Sequence, residues 1–166
     1  FDQVGKAIKA LGAQVSDAAI AGALRYQFLK VRVGSDVVFD IEEAVSIQGN
    51  SGPYLQYAHA RARSILRKSS SGQGGLDNVE LGADERSLVR KVSEFTEVVD
   101  RAVGELMPHH ICSYLYELAQ TFNRFYEHNR VIDDPRESVR LHLVQAYADR
   151  LKAGLEPLGI NAPDTM

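Results

Sequence analysis

One cysteine, Cys112, stands in 166 residues, so no internal disulfide can staple this chain. That usage fits a reducing compartment. No window approaches the roughly 20 uncharged apolar residues that a bilayer span needs. The first residue is Phe1 rather than Met, and no charged segment followed by an apolar run marks a signal peptide, so the chain reads as processed or as a piece of something longer. Neither sign of charge dominates: 19 basic and 22 acidic residues leave a net charge of -3. A nucleic-acid partner would therefore have to be held by a local basic face, not by a global positive field. With only five prolines, the chain fits a helical protein with a few loops.

The residue patterns of catalysis are missing too. The glycine-rich run at 71–75 has neither the lysine nor the flanking strand of a phosphate loop. No His/Cys group has zinc spacing. His109 and His110 are adjacent, which on a helix turns them about 100° apart, and they read as a polar helix start. Cys112 has apolar helical neighbours and reads as a buried structural thiol. The acidic pairs Glu42-Glu43 and Asp133-Asp134 stand at predicted helix starts, where they complement the dipole. No catalytic residue and no metal site emerges.

What is present is helical periodicity. Val4, Ala7, Ile8 and Leu11 stripe a first helix that Gly12 stops. Ser16 and Asp17 open a second, striped by Ile20, Ala23, Leu24 and Phe28. The segment 36–40 is either one extended strand or an irregular crossing. Asp40 and Glu43 have the spacing of an N-cap and its return partner, predicting a brief helix at 41–46. Pro53 suits the first turn of a helix running to about Lys68. Residues 69–75, and more broadly 69–82, read as a flexible linker. Beyond it, Leu88, Val92 and Phe95 stripe one segment, and Val98, Val99, Ala102, Val103 and Leu106 the next. Pro108 opens a long helix, and Asp134 with Pro135 opens the last. The sum is an all-α chain of about five to seven helices, with a helix bundle as its packing.

The most informative stretch is 38–68. Within it, Tyr54, Tyr57, Arg61, Ser64 and Lys68 fall on one side of a helix about 24 Å long. Bases stack on aromatic rings while cations reach phosphates or base edges. Arg63 and Arg67 lie on a neighbouring flank and widen the basic strip. Gly49 and Gly52, in the loop before the helix, let backbone approach a ligand closely. A solvated basic face with tyrosines at a helix seam accounts for the same pattern equally well.

The run Gly-Asn-Ser-Gly-Pro-Tyr-Leu-Gln-Tyr-Ala-His-Ala-Arg at 49–61 resembles the signature that opens the anticodon-binding domain of arginyl-tRNA synthetases. The segments 22–26, 39–40, 114–119, 122–126, 130–131, 140–141 and 158–160 are similar to that family's flanking and later helices. The resemblance implies a helix bundle of the class I synthetase anticodon-binding type over 48–166. Residues 1–47 would then be the tail of the catalytic domain and its connecting helices. It implies that Tyr57 and Arg61 contact anticodon-loop nucleotides and that Tyr126, Arg130 and Met166 join them; on the strip itself Tyr54 stands beside them and Arg63, Arg67 and Lys68 are expected to steer phosphates. The family has Arg or Lys just before its final methionine, whereas this chain reads Pro163-Asp-Thr-Met166. Both ATP-binding signatures of class I enzymes are missing.

The chain is therefore expected to be a tRNA-recognition piece, with ATP and Mg belonging to a parent arginine–tRNA ligase and no cofactor to this part. Its expected partners are the tRNA for arginine and a catalytic domain of the same chain, not DNA or a membrane, in the cytoplasm. The alternative is a stand-alone helical module that binds protein, or RNA without anticodon specificity.

Overall fold

The computed structural model describes residues 2–10, 17–69 and 79–166. Among them it has eight α-helices, one 3-10 turn and no strand. The helices are α1 (Asp2–Ala10), α2 (Asp17–Leu29), α3 (Ile41–Val45), α4 (Gly52–Lys68), α5 (Ala83–Ser93), α6 (Phe95–Glu105), α7 (His109–His128) and α8 (Glu137–Leu155), and the turn is Glu156–Leu158. None of the described helices is long and apolar enough to cross a membrane. Phe1, Leu11, Gly12 and Ser16, and positions 70–78 of the expected linker, lie outside the described residues.

Local signals place most helix starts. The Asp40 side chain accepts from the Glu43 N–H at 3.0 Å and caps α3. Glu43 does not reach back to the cap as expected; its carboxylate pairs with Lys30 at 2.5 Å. Ser51 caps α4 by accepting from the Tyr54 N–H at 3.1 Å, with Pro53 in the first turn. The last helix begins at Glu137 rather than at Asp134 and Pro135. Asp133 takes a left-handed conformation, and the Asp134 carboxylate accepts from the Arg136 N–H, so these residues form a turn. The segment 36–40 crosses without forming a strand.

The larger core is built by α4, α7 and α8. Leu55, Ala62 and Ile65 of α4 pack with Leu115, Leu118, Phe122 and Phe125 of α7 and with Val144, Tyr147 and Leu151 of α8. Phe122 and Tyr147 stack face to face at 3.9 Å. Each Leu, Ile, Val or Phe among them, taken fully out of water, contributes roughly 1.5–3 kcal/mol. Cys112 is buried among them, and desolvation pushes its thiol up to about 12, so it is an inert core residue. A smaller cluster joins Val4 and Ile8 of α1, Ala19, Ile20 and Ala23 of α2, and Val45 of α3. Three expected stripe residues are not core. Phe28 is 54% exposed and stacks on Phe39, while Val103 and Leu106 are 66% and 80% exposed. Leu106 is left-handed and ends α6, which turns it off the stripe.

Tyr26 ties α2 to the larger cluster. Its ring is fully buried there, and its hydroxyl proton serves Asn50 Oδ1 at 2.6 Å and the Cys112 carbonyl at 3.0 Å. The α2–α4 crossing is closest at Gly22 and Gly52. A Cβ on Gly52 would stand 2.3 Å from the Gly22 carbonyl oxygen. Gly52 is thus required by helix packing, not by approach of a ligand. Gly49 faces open space and has φ +134°, a conformation that favours glycine.

A buried ionic cluster fastens α5 to α8. Glu85, 1% exposed, accepts from Arg136 Nε at 3.0 Å and Nη2 at 2.5 Å, from Arg140 Nε at 3.0 Å and from the Gly82 N–H at 2.8 Å. Burial alone would raise its carboxyl pKa, but these donors, Arg136 foremost, hold it at about 2.

Candidate nucleic-acid interface

Four cations and no acid lie on α4, and the structure divides them between two faces. At about 100° per residue, Tyr57, Arg61 and Lys68 share the outward side, with Tyr54 at its edge. Tyr57 is 43% exposed, and Arg61 and Lys68 are exposed too. The Arg61 guanidinium lies over the Tyr126 ring at 4.7 Å, and that ring stacks on Phe122 at 6.1 Å. Cation and platform are therefore assembled before any ligand arrives, with the platform anchored to the core. Tyr54 is half-buried: its hydroxyl accepts from Asn123 Nδ2 at 2.9 Å, and its ring meets Tyr116 edge-on at 5.8 Å. Desolvation, then the neighbouring Tyr116, raises its phenol pKa, so it stays neutral.

Arg63 and Arg67 do not extend this strip. They are turned about 140° from it around the helix and hold the chain's last residues. Asn161 to Asp164 run alongside α4 in its own direction. Gln56 Nε2 donates to the Asn161 carbonyl at 2.9 Å, and His59 Nδ1 to the Pro163 carbonyl at 2.8 Å. Arg63 Nε donates to Asp164 Oδ1 at 3.1 Å, and Arg67 Nη1 to the Asp164 carbonyl at 2.8 Å. Residues 56, 59, 63 and 67 thus form one ladder at i, i+3, i+7 and i+11. Burial lowers the His59 pKa, so the ring is held neutral, with its Nδ1–H directed at the carbonyl. Met166 lies two residues past the last rung and is 59% exposed. Arg130 is exposed and occupied locally, bonding to the Ile132 carbonyl at 2.9 Å and to Asp133 at 3.0 Å.

Sequence reasoning placed Tyr126 of α7 at the site but missed the groove along that helix. A groove of about 440 Å³ runs between Gly49 and Tyr54 on one side and Tyr116, Gln120, Asn123 and Arg124 on the other. Those four α7 residues recur at i, i+4, i+7 and i+8, opposite the buried stripe, a readable polar stripe overshadowed by the α4 motif. Gln56 and His59 were missed because, inside a polar motif, nothing in the spacing marks them as buried. His109 and His110, expected to point apart, lie with ring centroids 4.2 Å apart, and His110 pairs with Glu105 at 2.7 Å. Among the described residues no group of three or more His, Cys, Asp or Glu could hold a metal ion. The arrangement offers stacking rings, exposed cations and amide donors beside a groove, the chemistry of single-stranded nucleic-acid contact.

The family model of the DALR anticodon binding domain matches residues 55–166. The arginine–tRNA ligase of Limosilactobacillus fermentum is 40% identical over 156 residues, covering 92% of this chain and 28% of the ligase. That of Methanoregula boonei is 38% identical over 154 residues, covering 92% and 27%. The solved arginyl-tRNA synthetase of Thermus thermophilus superposes with a TM-score of 0.91 at 32% identity, covering 99% of this chain and 31% of that one. The chain thus spans less than a third of the length of these relatives.

Proposed function

The chain belongs to the DALR anticodon-binding domain family, and on that footing we propose that it binds the anticodon loop of the tRNA for arginine. In this reading Tyr57 and the Arg61–Tyr126 pair meet unstacked bases. Lys68 steers phosphates, and Tyr54, with the α7 groove, borders the loop. Met166 and Arg130, both exposed, would add contacts beyond that face, while Arg63 and Arg67 act chiefly on the chain's last residues. The observation that carries the proposal is the guanidinium of Arg61 held at 4.7 Å over the Tyr126 ring on an exposed face. Such a preassembled platform gives stacking energy with little ordering left to do on binding.

The relatives are arginine–tRNA ligases, and the same role is proposed for this chain within such an enzyme: recognising tRNA while a catalytic domain ligates arginine. Residues 1–47 would connect to that domain. The enzyme would work in the cytoplasm, with no part for DNA or a membrane. ATP and Mg would serve the catalytic domain.

Binding of the chain to arginine-accepting tRNA and to other tRNAs at low salt tests the proposal. The expected result is a preference of at least tenfold for the former. Equal affinity for all tRNAs would contradict anticodon reading and favour the alternative of an RNA- or protein-binding module without it.

A further inference from the structure

We propose that Asp164 is a specificity-determining counter-charge, which takes Arg63 out of phosphate contact and so confines RNA to the outward face of α4. The inference rests on the tRNA-binding reading above and goes beyond it. A helix carrying Arg61, Arg63, Arg67 and Lys68 with no acid of its own attracts any polyanion. Phosphate contacts of that kind carry no sequence information, so each one strengthens wrong partners as much as the right one.

The structure ties two of the four cations to one residue and pairs one of them with a carboxylate. Arg63 donates to the Asp164 carboxylate at 3.1 Å, and Arg67 to the carbonyl of the same residue at 2.8 Å. The pair does not serve mainly to hold the chain's end in place. Gln56 and His59, 2% and 1% exposed, already fasten Asn161 and Pro163. The Arg63–Asp164 pair is open to solvent, with side chains 34% and 62% exposed, and such pairs contribute little to stability. Its charge acts on the field around α4 instead. The carboxylate neutralises Arg63 and repels phosphate from the flank that lacks aromatic platforms, which leaves Arg61 and Lys68 as the cations of the face that has them.

The test is Asp164→Asn in the 166-residue chain, since the amide oxygen still accepts from Arg63 while the charge is gone. Binding is measured against arginine-accepting tRNA and a tRNA for another amino acid across a salt series. The non-cognate tRNA is expected to bind about fivefold more tightly near 50 mM salt. Its slope of log K against log salt should steepen by about 0.7, one further phosphate contact. The preference for the arginine tRNA should fall accordingly. In an Arg63→Ala background the same substitution should leave the slope unchanged, because the cation paired with that carboxylate is gone.

An unchanged slope with Asp164→Asn overturns the proposal. So does weaker binding of both tRNAs, which makes Asp164 a support for Met166. A steepening that persists without Arg63 overturns it as well. If the unsubstituted chain discriminates between the tRNAs and Asp164→Asn changes nothing, this proposal alone fails. If the unsubstituted chain binds no tRNA, the parent reading fails and takes this one with it.

Discussion

The two faces of α4 use the same kinds of side chain for different ends. On one, Gln56, His59, Arg63 and Arg67 are hydrogen-bonded to Asn161, Pro163 and Asp164. On the other, Tyr57 is exposed and Arg61 rests on Tyr126. What separates an arginine engaged by the chain's own last residues from one that can meet a ligand is its angular position on the helix and what happens to lie opposite it. Substitutions of the buried rungs of the first face, Gln56 and His59, should change stability and leave a folded chain's binding intact. Substitutions on the second should do the reverse.

The largest effect is expected from the ionic cluster. Glu85→Ala removes the buried carboxylate that pairs with Arg136 and with Arg140, leaving Arg140 to Asp134, and should lower stability by about 3–5 kcal/mol in denaturant unfolding. Because the Glu85 carboxyl is held near 2, below its usual 4.5, the unfolded chain takes up the proton first. Its contribution is full above about pH 4.5 and lost as pH falls toward 2. The parent chain should show an acid destabilisation over that window that Glu85→Ala lacks. Next, Gly52→Ala forces a Cβ against the Gly22 carbonyl and should cost about 3 kcal/mol; a wild-type melting temperature would refute the packing role assigned to that glycine. On the outward face, Tyr57→Ala should weaken tRNA binding by about 1–3 kcal/mol with unfolding unchanged. Gln56→Ala removes one rung of the ladder and should lower stability by about 1 kcal/mol, with tRNA affinity changed less than by Tyr57→Ala.

Much of this comparison can be read in the residues. The caps at Asp40 and Ser51, the stripe of α7 and the outward run of Tyr57, Arg61 and Lys68 follow from local rules of period and hydrogen bonding. The role of Gly52 does not, because a glycine before a proline suits a ligand loop and a tight helix crossing alike, and only the position of Gly22 decides between them. The same holds for Arg63 and Arg67: their spacing places them on α4, but the Asp164 that occupies them lies about a hundred residues away. Phe28 fits the α2 period yet is exposed, since that short helix has only α1 and α3 on its smaller side. The pairing of Arg61 with Tyr126 likewise joins two segments whose meeting is a tertiary fact, though each was a site candidate by motif.

The measurement that tests the central claim most directly is the affinity of Arg61→Ala for arginine-accepting tRNA, taken beside its melting temperature. With the outward face as the reading surface, affinity should fall at least tenfold while the melting temperature stays within the small range expected for loss of an exposed cation–π contact. Wild-type affinity in a chain that is fully folded would contradict it.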